Sequence, residues 1–217
     1  MRRFILNTNL DSHSDSLINQ IDLVNLSSFE YEMLGELLST NHDIECVCTL
    51  YSYSKDILNN VLSFCCMGYD IINLVLIEDS DWYVNFLLEC LSNRIDLNCL
   101  LDKNLDYSQV YNLACCLCLG YNVKSLLENK EIDLKKVNKQ FIINYFVNSG
   151  KNNVYVVELI DDYVINEDES YTVISPSIRD AKLISCIEGL FNPFHIKVKC
   201  YDLTSINPSI IHISKLI

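Results

Sequence analysis

Apolar positions in the first two-thirds of the chain recur with the period of an α-helix. Val110, Leu113, Ala114, Leu117 and Cys118 follow the spacing i, i+3, i+4, i+7 and i+8, which places them on one stripe of a helix. Comparable amphipathic stretches occupy residues 28–38, 54–67, 80–91 and 106–119, and each begins at a Ser or Asp that could cap the helix. The pattern predicts four helices of similar length.

A short turn motif follows each of these stretches. Gly68-Tyr69-Asp70-Ile71 aligns with Gly120-Tyr121-Asn122-Val123 at an offset of 52 residues, and half that offset finds Arg94-Ile95-Asp96-Leu97. One further step back, with a slip of one residue, finds Asn41-His42-Asp43-Ile44. Glycine suits the left-handed residue that closes a helix, and asparagine is a tolerable substitute, so Arg94 departs from the pattern.

The recurrence predicts four tandem units of about 26 residues, near 28–53, 54–79, 80–105 and 106–131. Each unit is expected to be a longer helix, a tight turn and a short second helix. One unit cannot bury its apolar stripe alone, whereas stacked neighbours can. We therefore expect Leu74, Leu100 and Leu126 to occupy equivalent buried positions.

The repeat resembles a short helical tandem motif found in proteins of Gram-positive bacteria and their phages. That motif runs approximately Asp-x-x-Gln, an apolar helix, then Gly-[Leu/Tyr]-[Asp/Asn]-[Val/Ile]. The best match here runs from Asp106-Tyr107-Ser108-Gln109 to Gly120-Tyr121-Asn122-Val123. The resemblance covers about residues 28–130 and carries no catalytic residues. It implies an α-helical stack used for contacts with other molecules.

The period is lost after about residue 130, and the composition changes near residue 153. Residues 137–149 still have a helical pattern that could cap the stack. Residues 154–160, 171–174, 194–201 and 210–213 have strand composition, and residues 177–187 have a helical pattern. The predicted fold is mainly α, with a helical-repeat domain at 1–150 and a small strand–helix–strand module of α/β type at 151–217.

Charge is distributed unevenly along the chain, whose formal net charge is −13. Residues 1–123 hold 17 Asp and Glu against five Lys and Arg, whereas residues 124–217 hold 12 against 11. A strongly acidic surface repels nucleic-acid phosphates and attracts basic protein surfaces. We therefore expect no direct nucleic-acid binding by the first half.

The eleven cysteines are expected to be reduced and to act as small apolar residues, because they lie inside apolar helical runs. No apolar run approaches the roughly 18–20 residues that span a bilayer. The N-terminal sequence turns polar at Asn7, too soon for the apolar stretch of a signal peptide. These features predict a cytoplasmic protein without a membrane span.

Three clusters have residue types that could carry chemistry. Cys115 and Cys118 have the Cys-x-x-Cys spacing, but near a helix end and without a second pair, so core packing is favoured over a redox or zinc site. Residues 11–15 (Asp-Ser-His-Ser-Asp) lack a nucleophile motif and are interpreted as a solvated loop. The acids at 161–162 and 167–169 could hold a divalent cation, but charge runs at turns are usually just solvated. We predict no catalytic residue, no metal and no cofactor.

The predicted function is a non-enzymatic protein-binding scaffold with an acidic, tyrosine-bearing surface. Its partner is expected to be a basic protein surface, such as that of a nucleic-acid-binding enzyme. In its small size, its acidity and its layout, the chain is similar to phage-encoded inhibitors of host defence enzymes, including anti-CRISPR and antirestriction proteins. The alternatives are a bacterial adaptor or effector, or an enzyme or metalloprotein centred on the C-terminal module. The candidate contact residues are Glu30, Glu32, Glu36, Asp43, Glu45, Asp56, Asp81, Tyr83, Asp106 and Tyr107.

Overall fold

The computed structural model describes residues 21–39, 44–69, 71–78, 80–101, 103–147, 153–159, 170–189 and 191–201. These residues are mainly helical, with one three-stranded antiparallel sheet near the C-terminus. The predicted mainly α fold with a small sheet-containing C-terminal part is therefore confirmed at this coarse level. The chain divides into two compact units, residues 1–91 (unit 1) and 92–217 (unit 2).

Unit 1 is helical throughout its described part. Its helices are α1 (Ser28–Ser39), α2 (Ile44–Leu50), α3 (Lys55–Cys66), α4 (Ile72–Val75) and α5 (Asp81–Ser92), the last of which ends at the unit boundary. Helix α1 packs against α2 and α3, and α2 packs against α4. Branched apolar side chains such as Val47, Val61 and Ile72 are fully buried and form its core.

Unit 2 combines helices with the sheet. It contains α6 (Tyr107–Cys118), α7 (Val123–Leu127), α8 (Lys139–Phe146) and α9 (Ile178–Gly189), and 3₁₀ turns at Asn98–Leu100 and Leu134–Lys136. Its strands are β1 (Asn153–Leu159), β2 (Ser170–Ser175) and β3 (Ile196–Tyr201). Helix α9 contacts α6, α8 and all three strands, and so lies at the centre of this unit.

The predicted long helices are present at the expected places. Helices α1, α3, α5 and α6 each have 12 residues, and they begin at residues 28, 55, 81 and 107. The left-handed residues Gly68, Arg94 and Gly120 follow α3, α5 and α6, respectively. Leu74, Leu100 and Leu126 are all buried. Whether these leucines superpose, and whether the units form one continuous stack, stays a prediction.

Local capping explains where two of the helices begin. The Asp106 carboxylate accepts a hydrogen bond from the Gln109 backbone N–H, and the Gln109 side-chain oxygen accepts one from the Asp106 N–H. This reciprocal pair is a capping box. Helix α1 has the same arrangement between Ser27 and Glu30, one residue earlier than the Ser28 cap that the pattern predicts. Capping side chains satisfy backbone N–H groups that the first helical turn leaves without partners.

The sheet has the strand order β2-β1-β3, with both outer strands antiparallel to β1. Tyr155, Val157 and Val173 alternate with more exposed neighbours and are buried, as expected for a sheet covered on one face. The helical and strand patterns predicted at 154–160, 171–174, 177–187 and 194–201 correspond to β1, β2, α9 and β3. The strand predicted at 210–213 lies outside the described residues.

The compact units do not coincide with the predicted domains, whose boundary is at residue 150. Helices α6 and α8 pack against α9, and so belong to the same unit as the sheet. The predicted capping helix at 137–149 is present as α8, from Lys139 to Phe146. The predicted division into domains at residue 150 stays a prediction.

Candidate protein-binding surface

Exposed acidic side chains are carried by four helices of unit 1. Glu32 and Glu36 lie four residues apart on α1, and therefore on one face of that helix. Glu45 lies in the first turn of α2, Asp56 in that of α3 and Asp81 in that of α5. All five are exposed, and we refer to them as the acidic set. Three of them lie at helix N-termini, where the helix dipole favours a negative charge.

The sequence around the acidic set contains very little positive charge to neutralise it. Residues 1–91 hold 14 Asp and Glu against three Lys and Arg, a net charge of −11, whereas residues 92–217 hold 15 against 13. Between residues 4 and 91 the sequence contains one Lys or Arg, Lys55. The Lys55 ammonium donates a hydrogen bond to the backbone oxygen of Asn25, at 2.5 Å. Unit 1 therefore carries most of the net negative charge of the chain.

Two of the predicted contact residues, Glu30 and Tyr83, are buried, contrary to the surface position that was predicted for them. The Glu30 side chain is 1% exposed because it belongs to the capping box of α1. Tyr83 is 0% exposed because it lies on the inward side of α5. Neither side chain can reach a partner in this conformation.

The remaining predicted contact residues are distributed over both units. Asp43 lies outside the described residues. Asp106 is exposed, but its carboxylate caps α6. Tyr107 is half-buried in the first turn of the same helix. Asp106 and Tyr107 belong to unit 2 and are therefore not members of the acidic set.

The buried carboxylate of Glu30 is held in its ionised form. The backbone N–H and the hydroxyl of Ser27 hydrogen-bond to it, and with the Lys55 charge they lower the pKa of Glu30 below its ordinary value of 4.5. Burial acts in the opposite direction but is outweighed. Glu30 therefore contributes to the structure of α1 as an anion that is shielded from solvent.

An aromatic residue that is not among the predicted contact residues is exposed next to Asp81 of the acidic set. Trp82 is 41% exposed, next to Asp81 in the first turn of α5, and its ring stacks on Phe86 with centroids 6.3 Å apart. Large aromatic side chains held rigidly at a surface are frequent anchors of protein interfaces. The sequence predicts a surface that carries acidic and aromatic residues. At the start of α5, however, the exposed aromatic ring is that of Trp82 and not that of the adjacent Tyr83.

Several tyrosines of the repeats have structural roles instead. The Tyr51 hydroxyl donates to the backbone oxygen of Glu30, and Tyr111 donates to that of Phe191 at 3.0 Å. The motif residue Tyr121 donates to the buried carboxylate of Asp180 in α9, which also accepts from Ser177. Burial raises the pKa of all three phenols, so they remain protonated donors.

The Cys-x-x-Cys pair belongs to the interior of unit 2. None of the eleven cysteines, all of which lie in the described part of the chain, forms a disulfide bond in the structure. Cys115 is completely buried and faces Cys186 of α9, whereas Cys118 is half-buried. Burial raises the pKa of Cys115 and Cys116 well above the ordinary thiol value of 9.0. A thiol held protonated is a poor nucleophile, so these residues act as packing groups in unit 2.

Within the described ranges, no group of three or more His, Cys, Asp and Glu side chains is arranged to hold a metal ion. The acids at 11–15, 161–162 and 167–169 lie outside those ranges. No helix in the described part of the chain has both the length and the apolar character needed to cross a membrane. In comparisons with protein-family models, curated proteins and solved structures, nothing matches the chain.

Proposed function

We propose that this chain is a non-enzymatic binding scaffold whose acidic unit 1 engages a basic surface of a partner protein. The observation that carries the proposal is the charge asymmetry: −11 in residues 1–91 against −2 in residues 92–217, with the acidic set exposed. Exposed Trp82 beside Asp81 supplies an apolar anchor within that charged surface. Charge complementarity accelerates encounter with a basic partner, and an aromatic anchor slows its release.

The partner that fits best is an enzyme whose basic surface normally holds nucleic acid. Lysine- and arginine-rich channels bind phosphates largely by charge, so an acidic protein surface competes for the same residues. On this proposal the chain inhibits such an enzyme, as phage-encoded anti-defence proteins of the anti-CRISPR or antirestriction kind do, in the cytoplasm of the host cell. An exposed ion pair contributes only about 0–1 kcal/mol, so binding must depend on many charges acting together.

The partner would be identified by affinity capture from a host lysate at low and high salt, followed by mass spectrometry. The test then compares two variants with matched charge changes. One carries Glu32→Lys and Glu36→Lys on α1, and the control carries Glu128→Lys and Glu131→Lys, two exposed acids of unit 2. Both pairs are exposed and lie outside the capping boxes, so the fold is expected to be retained.

The unit 1 variant is expected to lower the association rate with the captured protein at low salt on the order of tenfold, whereas the control changes it little. The dissociation rate should change less than the association rate. Equal effects of the two variants would mean that only overall charge matters, and would contradict a binding role for unit 1.

A second measurement tests the nature of the partner surface. Duplex DNA or RNA added to the captured partner should compete with the chain for binding. Failure of both to compete, with the charge effect intact, would rule out a nucleic-acid-binding surface as the target. The scaffold proposal would then remain in the form of an adaptor that binds another kind of basic protein.

A further inference from the structure

The indole of Trp82 is packed against the core of unit 1 at the start of α5. It stacks on the Phe86 ring, four residues further along the helix, with the ring planes 13° apart and the centroids 6.3 Å apart. Phe86 is 2% exposed, whereas Trp82 itself is 41% exposed. A large aromatic surface that is already held in place loses little conformational entropy when a partner binds. The stack therefore presents part of the indole as a ready contact surface.

Two hydrogen-bond acceptors accompany Trp82 on the exposed side of α5. Asn85 lies three residues after Trp82 and four residues after Asp81, which makes it a surface neighbour of both. Asp81 and Asn85 are exposed. This face of the helix thus combines an aromatic ring, a carboxylate and a side-chain amide oxygen.

The surrounding sequence supplies negative charge and no cation. Residues 56–93 contain six Asp and Glu and no Lys or Arg. The N-terminal end of a helix acts as roughly half a positive charge, which opposes a bound cation. The full negative charge of Asp81 exceeds that effect, so this face of α5 favours a cation only while the carboxylate is present.

Of the two cationic side chains that a basic partner offers, arginine fits this combination of groups better than lysine. The guanidinium is planar, and it can stack on an aromatic face while its N–H groups donate to a carboxylate. Tryptophan is the aromatic side chain that attracts a cation most strongly. The lysine ammonium is a compact and strongly hydrated charge, so it gains less from contact with a ring.

We propose that Asp81, Trp82 and Asn85 form an arginine-recognition site for the basic partner. The guanidinium of one partner arginine lies against the exposed part of the indole and donates hydrogen bonds to the Asp81 carboxylate and the Asn85 oxygen. This inference rests on the proposed function, and it adds the kind of residue that the partner contributes. The other members of the acidic set attract any cation, whereas this site distinguishes arginine from lysine.

Unit 2 contains a matched aromatic stack without the carboxylate. Tyr145 of α8 is 39% exposed and stacks on Phe141, with the ring planes 16° apart and the centroids 6.1 Å apart. Helix α8 contains no Asp or Glu. Tyr145→Leu therefore removes a comparably exposed ring from a helix that carries no acidic side chain, and it is the control for Trp82→Leu.

The test uses the full chain and two amidated peptides of equal length and charge, in which glycine alternates with arginine or with lysine. Trp82 is the only tryptophan of the chain, so tryptophan fluorescence reports on this site directly. We expect the arginine peptide to change that fluorescence and to bind about five- to tenfold more tightly than the lysine peptide at low salt. Trp82→Leu, measured by calorimetry, and the isosteric Asp81→Asn should remove most of this preference, whereas Tyr145→Leu should leave it unchanged.

Equal affinity for the two peptides would overturn the arginine site, as would an arginine preference that survives in Trp82→Leu and in Asp81→Asn. The variant with Glu32→Lys and Glu36→Lys separates this inference from the proposed function. If that variant binds both peptides more weakly while the wild type shows no arginine preference, the acidic surface acts by charge alone and only the arginine site fails. Unchanged binding of both peptides by that variant would instead contradict the proposed role of the acidic set.

Discussion

Arg94 has a backbone conformation that ordinarily belongs to glycine. Its φ is +61°, and it occupies the place after α5 that Gly68 occupies after α3 and Gly120 after α6, with φ of +91° and +76°. A residue with a Cβ in the left-handed region carries a penalty of about 1–2 kcal/mol, which glycine avoids. The repeat pattern therefore imposes the turn on Arg94, although its side chain disfavours it.

We predict that Arg94→Gly raises the free energy of unfolding by about 0.5–1 kcal/mol, since relief of strain is partly offset by greater freedom of the unfolded chain. Urea denaturation measures the change. Arg94→Ala is the control, because it removes the same exposed side chain but keeps the Cβ and the strain. An Ala variant as stable as the Gly variant would show that the guanidinium, and not the backbone, is responsible.

Glu30 couples the stability of unit 1 to pH. Its folded-state pKa is lowered, so the stabilisation is present above the ordinary value of 4.5 and is lost as pH falls through the folded pKa. We predict that Glu30→Gln, which keeps an acceptor oxygen for Ser27, is less stable than the wild type at neutral pH by about 0.5–1 kcal/mol. The difference should shrink as pH falls below 4.5. Unfolding midpoints from pH 7 to pH 3 would reveal it, and a gap independent of pH would exclude the charge as its source.

At the scale of elements, Gln109 joins α6 to the segment that follows α7. Its side-chain nitrogen donates to the backbone oxygens of Leu134 and Val137, at 2.7 and 2.9 Å. Its side-chain oxygen completes the capping box with Asp106. The buried Gln109 amide thus donates through its nitrogen and accepts through its oxygen. Only an amide side chain of this length can do both here.

We predict that Gln109→Glu lowers the free energy of unfolding by about 2–4 kcal/mol at neutral pH, because a carboxylate would face two carbonyl oxygens without a proton to donate. Gln140→Glu, an exposed change on α8, should be nearly neutral. Thermal or urea denaturation of the two variants gives the comparison. A destabilisation of Gln109→Glu no larger than that of the control would mean that these hydrogen bonds contribute little.

At the scale of the whole molecule, the two units differ in how strongly the like charges within each unit repel one another. Unit 1 carries most of the net charge, so compaction brings like charges together there more than in unit 2. Exposed charges farther apart than about 10 Å are largely screened at 0.1 M salt. Stability of the two units should therefore respond differently to ionic strength.

We predict that sodium chloride slows hydrogen exchange in α1 and α3 more than in α6. The measurement is exchange followed by mass spectrometry at low and high salt and constant pH. Sodium sulfate is a useful comparison, because it also strengthens apolar burial and should protect both units. If exchange in α3 and α6 responds equally to sodium chloride, then charge repulsion does not destabilise unit 1 more than unit 2.

The positions of the long helices and of the left-handed turns were predictable from the amino-acid sequence alone. Apolar spacing, capping residues and turn residues act over three or four neighbours, so their effect is visible in the linear order. The capping box of Asp106 and Gln109 and the turns at Gly68 and Gly120 illustrate this. The left-handed Arg94 shows that the repeat pattern predicts a conformation even where the residue disfavours it.

Tertiary structure alone decided which polar and aromatic groups face outward. Tyr83 and Trp82 are adjacent and similar in character, yet packing buries the first and exposes the second. Gln109 meets carbonyl oxygens 25 and 28 residues away, and Tyr121 meets a carboxylate 59 residues away. Helical periodicity predicts which residues lie on the same side of a helix. Contacts between residues distant in the chain determine which side faces solvent and which elements share a core.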